Sequence, residues 1–497
     1  MAAPPDALPP PLAPPAADAA PVPTLPPGLL DALSAALGPR GVVTDPADLA
    51  PHLTDWRGLV RGRAPALLRP ASTEALSAAM RLLHEARVPV VPQGGNTSLV
   101  AGASPDASGR AVVLSLARLD RVRDLDPVDG TMVAEAGVVL ARAQDAAAEA
   151  GLLFPLSLAA EGSATVGGVL SANAGGNTTV RYGNARELCL GLEVVLADGS
   201  VVHGLRRLRK DNTGYALRHL FIGGEGTLGV IAAAALRLFP RPRSEAVALC
   251  AVADEGAALA LFRRLRAADE SAVRAFEYMS GAGTDLVLAL VEGAALPLAE
   301  RAEHYVLVDL ASTRRDADLR GLMEGVLGEA LEAGEVTDAV LAESEAQRAA
   351  LWRLREEQTE AQRRAGASVK NDVSVPVSRV PELIVRASAA VRQAVPGCRP
   401  VPFGHVGDGN VHMNVVQPEG ADGAAFLARA GAIADAVNAV VRDLGGSFSA
   451  EHGVGRIKTR MVEDWRGGAE VAAMRAVKRA LDPRGIMNPG VVLAAVG

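Results

Sequence analysis

Apolar and polar positions along the chain change period several times, and each change marks an element. Residues 72–91, STEALSAAMRLLHEARVPVV, carry apolar side chains three and four apart and then a continuous apolar run. That spacing predicts a helix with Ser72 or Thr73 at its N-cap, feeding a buried strand at residues 88–91. AVVLSLARL (111–119) and TMVAEAGVVL (131–140) read as strands, ARAQDAAAEAGL (141–152) as a helix, and ELCLGLEVVLADGSVV (187–202) as an apolar strand run. From residue 244 to 312 short strands and helices alternate (AVALCAVA, GAALALFRRLRAA, VRAFEYMS, YVLVDLAS), the pattern of a βαβ unit of a ferredoxin-like domain or else of a generic α/β layer. A longer helical stretch at 346–365 precedes the strand SVKNDVSVPVS. The expected fold class is α+β.

Three glycine clusters interrupt these runs: PQGGNTSLVAGA (92–103), GSATVGGVLSANAGGNTTVRYGNARE (162–187) and FIGGEGTLGVI (221–231). Each glycine in an ordered element costs about 0.5–1 kcal/mol relative to alanine, so the density calls for a backbone that approaches something closely. Successive N–H groups in such turns form concavities for anions such as phosphate. The first cluster directly follows a buried-type strand but is not a GxGxxG and lacks a Walker lysine, so its spacing does not describe a Rossmann dinucleotide site. A glycine-rich β domain with tight turns is the structural alternative.

Composition narrows the class. At 497 residues the chain is too long for one core, and two or three domains are expected. Glycine, at 51 residues, exceeds the average share of about 7%. A formal charge of -7 argues against nucleic acid or an anionic membrane as the main partner. The three cysteines, Cys189, Cys250 and Cys398, form no CxxC pair and fit a reducing compartment, so a cytoplasmic location is expected. Residues 1–28, rich in Ala and Pro, read as a disordered tail without the features of a signal or transit peptide. No run of about 18 apolar residues predicts a transmembrane helix.

Two constellations carry chemistry. In FGHVGDGNVHMNVV (403–416), VHMNVV alternates as a half-buried strand with His412 and Asn414 on one face. His405 precedes across a Gly/Asp turn, and Glu451 in SAEHGVGRIK (449–458) can complete a two-His, one-carboxylate metal site. Taken singly, each histidine is more often a core or surface residue than a ligand. His452, next to Glu451, suits a general base, or else a plain hydrogen-bonding role. The second constellation is Arg355 and Thr359, four apart on one helix, with Lys370 on the following strand: a receptor for a carboxylate, or a solvated face.

In order, PQGGNTS, TVGGVLSANAGG with RYGNARE, and GGEGTLGVI resemble the flavin-binding domain of the vanillyl-alcohol oxidase type. Together with LWRLREEQTEA, KNDVSVP, GHVGDGNVHMNV, SAEHGVG and LDPRGIMNPG (481–490), the chain from about 40 to 495 resembles the FAD-dependent D-2-hydroxyacid dehydrogenases. That family includes enzymes for D-2-hydroxyglutarate, D-lactate and glycolate. The resemblance implies a two-subdomain FAD-binding domain at 29–242, a ferredoxin-like cap at 243–445 and a C-terminal segment at 446–497. It implies FAD contacts at Pro92, Gly94, Gly95, Asn96, Thr97, Ser98, Pro155, Gly162, Thr165, Gly167, Gly168, Asn173, Gly175, Gly176, Gly183, Gly224, Glu225, Ile231 and Asn488. With no His or Cys beside the first glycine turn, and Cys189 in an apolar strand, the FAD is expected to be non-covalent.

It further implies a zinc-type ion (Mn, Co or Fe also serving) at His405, His412 and Glu451 that holds the substrate's carboxylate and hydroxyl. His452 takes the hydroxyl proton and Asn414 helps orient the substrate. Arg355, Thr359 and Lys370 match the pocket for a distal carboxylate, which points to D-2-hydroxyglutarate or a close dicarboxylate such as D-malate. Implied partners are an electron acceptor such as an electron-transfer flavoprotein or quinone, and a possible homodimer. A metal-dependent hydrolase and a redox-silent nucleotide-binding module are the competing classes.

Overall fold

The structure is a computed structural model that describes residues 21–494; of the Ala/Pro-rich tail, residues 1–20 lie outside the described part, and 21–28 form no helix or strand. The chain divides into two compact units. One contains residues 21–174, Asn184–Pro240 and the stretch from His452 onward; the other contains Gly175–Gly183 and Arg241–Glu451.

In the first unit a four-stranded sheet is ordered Val42–Val43, Leu67–Leu68, Val112–Ser115, Val90–Gln93. The last three strands run parallel, and Val90–Gln93 follows the helix Thr73–Ala86, whose N-cap Ser72 accepts from the Ala75 N–H. A five-stranded antiparallel sheet, ordered Val122–Asp126, Thr131–Glu135, Val230–Arg237, Cys189–Val195, Val201–Gly204, forms the second layer of strands. Leu33, Leu76, Met80, Leu83, Val112 and Leu114 are fully enclosed in the main core. The C-terminal stretch supplies the helices Thr459–Arg466 and Gly468–Leu481. All three cysteines are free and buried. No helix among the described residues is long and apolar enough to cross a membrane.

The second unit is built on a seven-stranded sheet. Its first four strands in space, Val336–Leu341, Ser244–Val252, His304–Ser312 and Val273–Ser280, have the order four, one, three, two by sequence, all antiparallel, which is the ferredoxin-like arrangement. Beside Val273–Ser280 the sheet continues through Phe403–Gly404, Asn410–His412 and Asp372–Ser374. These short strands bring the histidine motif into register with the core of the unit.

Two elements differ from the sequence expectation. VHMNVV is not one half-buried strand: Asn410–His412 belongs to the large sheet, Val415–Val416 pairs with Ser368–Val369 and Arg399–Pro400 in a small one, and both segments are wholly buried. The stretch at 346–365 is two helices, Glu345–Glu356 and Gln358–Arg364, parted at Glu357. Arg355 therefore ends one helix while Thr359 starts the next. Lys370 falls between two strands of different sheets.

Candidate functional site

The glycine loops come first because they explain the composition. A Cβ on Gly95 would lie 1.9 Å from the Ser163 carbonyl oxygen, and one on Gly94 would lie 2.3 Å from Thr165 Oγ1. The turn after Val90–Gln93 therefore runs directly against the segment 163–168, and no side chain fits between them. Gly167 is equally confined, 2.6 Å from the Ala136 Cβ, whereas Gly162 has open space around it. The third cluster joins through Gly226, whose Cβ would approach Pro92 Cγ at 3.1 Å.

Four of the eight described non-glycine residues with left-handed backbone are Asn96, Asn173, Glu225 and Asn488, all from the predicted cofactor set. Such conformations cost roughly 1–3 kcal/mol each and persist where the surroundings over-determine them. Here the surroundings are visible. Asn96 Nδ2 donates to Thr54 O at 2.9 Å, Asn173 Oδ1 accepts from the Arg186 N–H at 3.0 Å, and Asn488 Nδ2 donates to Gly102 O and Glu225 O at 2.9 and 2.8 Å.

Glu225 turns its carboxylate to the Val454 and Gly455 N–H groups, both at 2.8 Å, and burial pushes its carboxyl up to about 7. Asn488 Oδ1 is buried with no partner among the described residues. An orphaned acceptor beside closely packed backbone loops suits a polar cofactor. Ser98 Oγ accepts from Val100 and Gly102 N–H groups, and Ile231 is buried on the strand Val230–Arg237. Gly175, Gly176 and Gly183 belong to the other unit, where Arg181 donates to Ala311 O.

The histidine cluster lies in the second unit. Gly404 and Gly409 adopt backbone with φ 148° and 92°, and a Cβ on either would meet Asn410 O at 2.9 Å or Val375 O at 2.3 Å. These two glycines fold GHVGDGN into a tight loop, so His405 and His412 meet edge-on with ring centroids 5.5 Å apart. His405 Nε2 lies 3.9 Å and His412 Nε2 3.7 Å from the same oxygen, Glu451 Oε1. Those spacings are too long for hydrogen bonds. They are close to the ~3.3 Å between donors that share one tetrahedral ion at about 2.0–2.1 Å. The donor set thus fits a divalent cation.

Two carboxylates outside the residues expected from the sequence hold this geometry. Asp372 is paired across the sheet with His412. Its Oδ2 accepts from the backbone N–H groups of Ala450 and Glu451 at 3.2 and 3.0 Å, and its Oδ1 accepts from Asn410 Nδ2. Ligand atoms of Asp372, His412 and Glu451 all lie within 4.8 Å of one another, a group that does not include His405. Glu277, 1% exposed on the strand Val273–Ser280, accepts from His405 Nδ1 at 2.8 Å and from Arg355 Nε at 2.7 Å.

The electrostatics follow from these pairs. Burial pushes the Glu277 carboxyl up, but the charges and hydrogen bonds of His405 and Arg355 outweigh it and leave it below its ordinary value. Burial pulls His405 down, and Glu277 more than reverses that, raising it to about 9. Burial raises the carboxyls of Glu451 and, to about 6, Asp408. Buried carboxyls driven toward neutrality are a setting that positive charge would stabilise, and a cation between the two Nε2 atoms would supply it.

Arg355 is buried, 6% exposed, with its guanidinium 4.8 Å from the Phe403 ring. Asn414 is held at both ends: Nδ2 donates to Gln362 Oε1 at 2.9 Å, and Oδ1 accepts from the Asn371 N–H at 3.2 Å. Gln358 Oε1 and Gln362 Nε2 are buried without partners among the described residues. Thr359 is half-buried beside them. His452 follows Glu451 directly and begins the other unit.

Known proteins match this chain along its length. The model of the FAD linked oxidases, C-terminal domain, matches residues 241–492, and that of the FAD binding domain matches 64–204. D-2-hydroxyglutarate dehydrogenase of Xanthomonas citri pv. viticola is 38% identical over 447 residues, 90% of this chain and 93% of that one. The mitochondrial enzyme of that name from Bos taurus is 39% identical over 453 residues, 91% and 81% of the two chains. Among solved structures, an alkyldihydroxyacetonephosphate synthase (TM-score 0.73, 16% identity, 95% and 87% covered) and p-cresol methylhydroxylase (0.72, 16%, 94% and 96%) share the vanillyl-alcohol oxidase type of fold. The chain belongs to the FAD-linked oxidases, in the family of FAD-dependent D-2-hydroxyacid dehydrogenases.

Proposed function

We propose that the chain oxidises D-2-hydroxyglutarate, or a close dicarboxylate such as D-malate, to the 2-oxo acid with the help of a divalent ion, zinc first. The observation that carries this reading is the convergence of His405 Nε2 and His412 Nε2 on one oxygen of Glu451. The shared identity with D-2-hydroxyglutarate dehydrogenases over most of both chains supports the substrate. FAD supplies the two-electron acceptor and the ion a Lewis acid that polarises the 2-hydroxyl.

The rest is done by side chains. His405, His412 and Glu451 hold the ion, with the Nδ1 of His405 tied to Glu277 so that its Nε2 faces the ion. His452 accepts the hydroxyl proton, and Asn414, pinned by Gln362 and the Asn371 N–H, orients the substrate. Lys370 and Thr359, with the terminal nitrogens of Arg355, receive the distal carboxylate. Buried without such partners, that carboxylate would be strongly disfavoured, which makes the three residues the basis of substrate choice. FAD is held without a covalent bond, and an electron-transfer flavoprotein or a quinone takes the electrons onward.

The test is an anaerobic spectral titration of the purified flavoprotein with a panel of D- and L-2-hydroxy acids. D-2-hydroxyglutarate is expected to bleach the flavin bands at the lowest concentration and D-lactate much less readily. Bleaching by L-acids alone, or equal bleaching by D-lactate and D-2-hydroxyglutarate, would overturn the substrate assignment.

A further inference from the structure

Glu277 sits where the two halves of the proposed site meet. It is the only acidic residue in VRAFEYMS, its side chain is enclosed by the ferredoxin-like core, and its two oxygens are divided between two functional groups. Oε1 accepts from His405 Nδ1 at 2.8 Å and Oε2 from Arg355 Nε at 2.7 Å. An ionised carboxylate can only accept, so the Nδ1 of His405 must carry the proton. The same carboxylate anchors the guanidinium by its Nε edge, and Phe403 fixes one face of it at 4.8 Å.

We infer that Glu277 is the positioning residue of the reaction, a single carboxylate that orients the ion ligand His405 and the substrate-binding Arg355 together. This rests on the metal and dicarboxylate reading above. A uniformly structural carboxylate would serve its neighbours' stability alone; Glu277 instead fixes two groups that act on different ends of the substrate. Its loss should therefore appear in two separable measurements, ion affinity and discrimination at the distal carboxylate.

The experiment uses the full-length flavoprotein and its E277Q variant, with E277D as the conservative comparison. Zinc affinity is measured by competition with a chromophoric chelator, and kcat and KM are measured for D-2-hydroxyglutarate and D-lactate. Glutamine keeps the shape but offers one acceptor oxygen, so it satisfies His405 or Arg355 but not both. E277Q is expected to bind zinc about 10–100-fold more weakly than wild type, the usual scale for a partner of a liganding imidazole. Its KM for D-2-hydroxyglutarate should rise several-fold more than its KM for D-lactate, with E277D restoring part of both.

If E277Q is poorly folded because Arg355 is left unpaired, E277L combined with R355M removes both charges and leaves the Nδ1 of His405 without its acceptor, which isolates the His405 arm. Wild-type zinc affinity in either folded variant, or equal changes in KM for the two acids in E277Q, would overturn the inference. A wild-type protein that binds no zinc and turns over fully after exhaustive chelation would overturn the metal reading itself, and the inference with it.

Discussion

In the glycine loops the backbone does the chemistry, whereas in the histidine cluster the side chains do. The loops at 92–98, 162–168 and 223–226 approach so closely that a single Cβ at Gly94 or Gly95 would sit 2.3 or 1.9 Å from its neighbour. Asn96 in these loops and Asn488 from the C-terminal stretch take left-handed backbone, and their side chains donate to carbonyl oxygens of the protein itself. The cluster around Glu451 is the reverse: Glu277, Asp372, His405 and His412 are buried, titratable and paired with one another. Where such loops touch, at Gly94, Gly95 and Gly167, they tolerate no added atom, and their titratable group is Glu225. A site made of buried ionisable groups tolerates shape-preserving changes but not a change of charge.

That contrast predicts different failures. The largest effect belongs to Gly95→Ala, which forces the Ser163 loop away and is expected to give protein that purifies nearly free of flavin, read from the ratio of absorbance near 450 and 280 nm. Flavin retained at the wild-type ratio would break the comparison. Next comes His412→Ala, which should keep the flavin yet lower kcat by more than about 100-fold, the scale of losing one group that stabilises developing charge. Exhaustive chelation of the wild type should do the same, with zinc restoring turnover.

A smaller effect sharpens the second region. Lys370→Met should reduce the preference for D-2-hydroxyglutarate over D-lactate by about 10–100-fold, the equivalent of one lost charge-assisted hydrogen bond of about 1.5–3 kcal/mol. An unchanged ratio of kcat/KM values would remove Lys370 from the substrate pocket. The smallest expected effect is none. Cys189, whose buried thiol is pushed up to about 12 by desolvation, is expected to form no bond to the cofactor, so Cys189→Ala should leave flavin content unchanged and denatured wild type should release its flavin.

Much of the fold and the site is legible in the amino-acid sequence. The helix at Thr73–Ala86, the buried strand after it and three strands of the ferredoxin-like unit follow from periodicity and from Ser72 at a helix start, whereas the fourth strand, Val336–Leu341, and the sheet order come from the structure. His405, His412 and Glu451 stand out because their short motifs are rich in glycine. Glu277 carries a quieter signal: a lone carboxylate in an apolar strand has to find partners or remain neutral, but nothing local says which partners. Asp372 carries the same signal within KNDVSV. The parting of the helix at Glu357 leaves no trace in the pattern, and the alternation of VHMNVV misleads, because His412 and Asn414 are polar yet buried against partners that lie far away in the chain.

The sequence by itself determined the elements, the glycine loops and the kinds of chemistry available, since each depends on residues within a few positions of one another. Only the tertiary structure decided which group answers which. His405 and Glu277 are 128 residues apart in the chain, and Arg355 and Glu277 are 78 apart. Hydropathy period carries no information over such distances; packing brought those charges together, and burial then required them to pair.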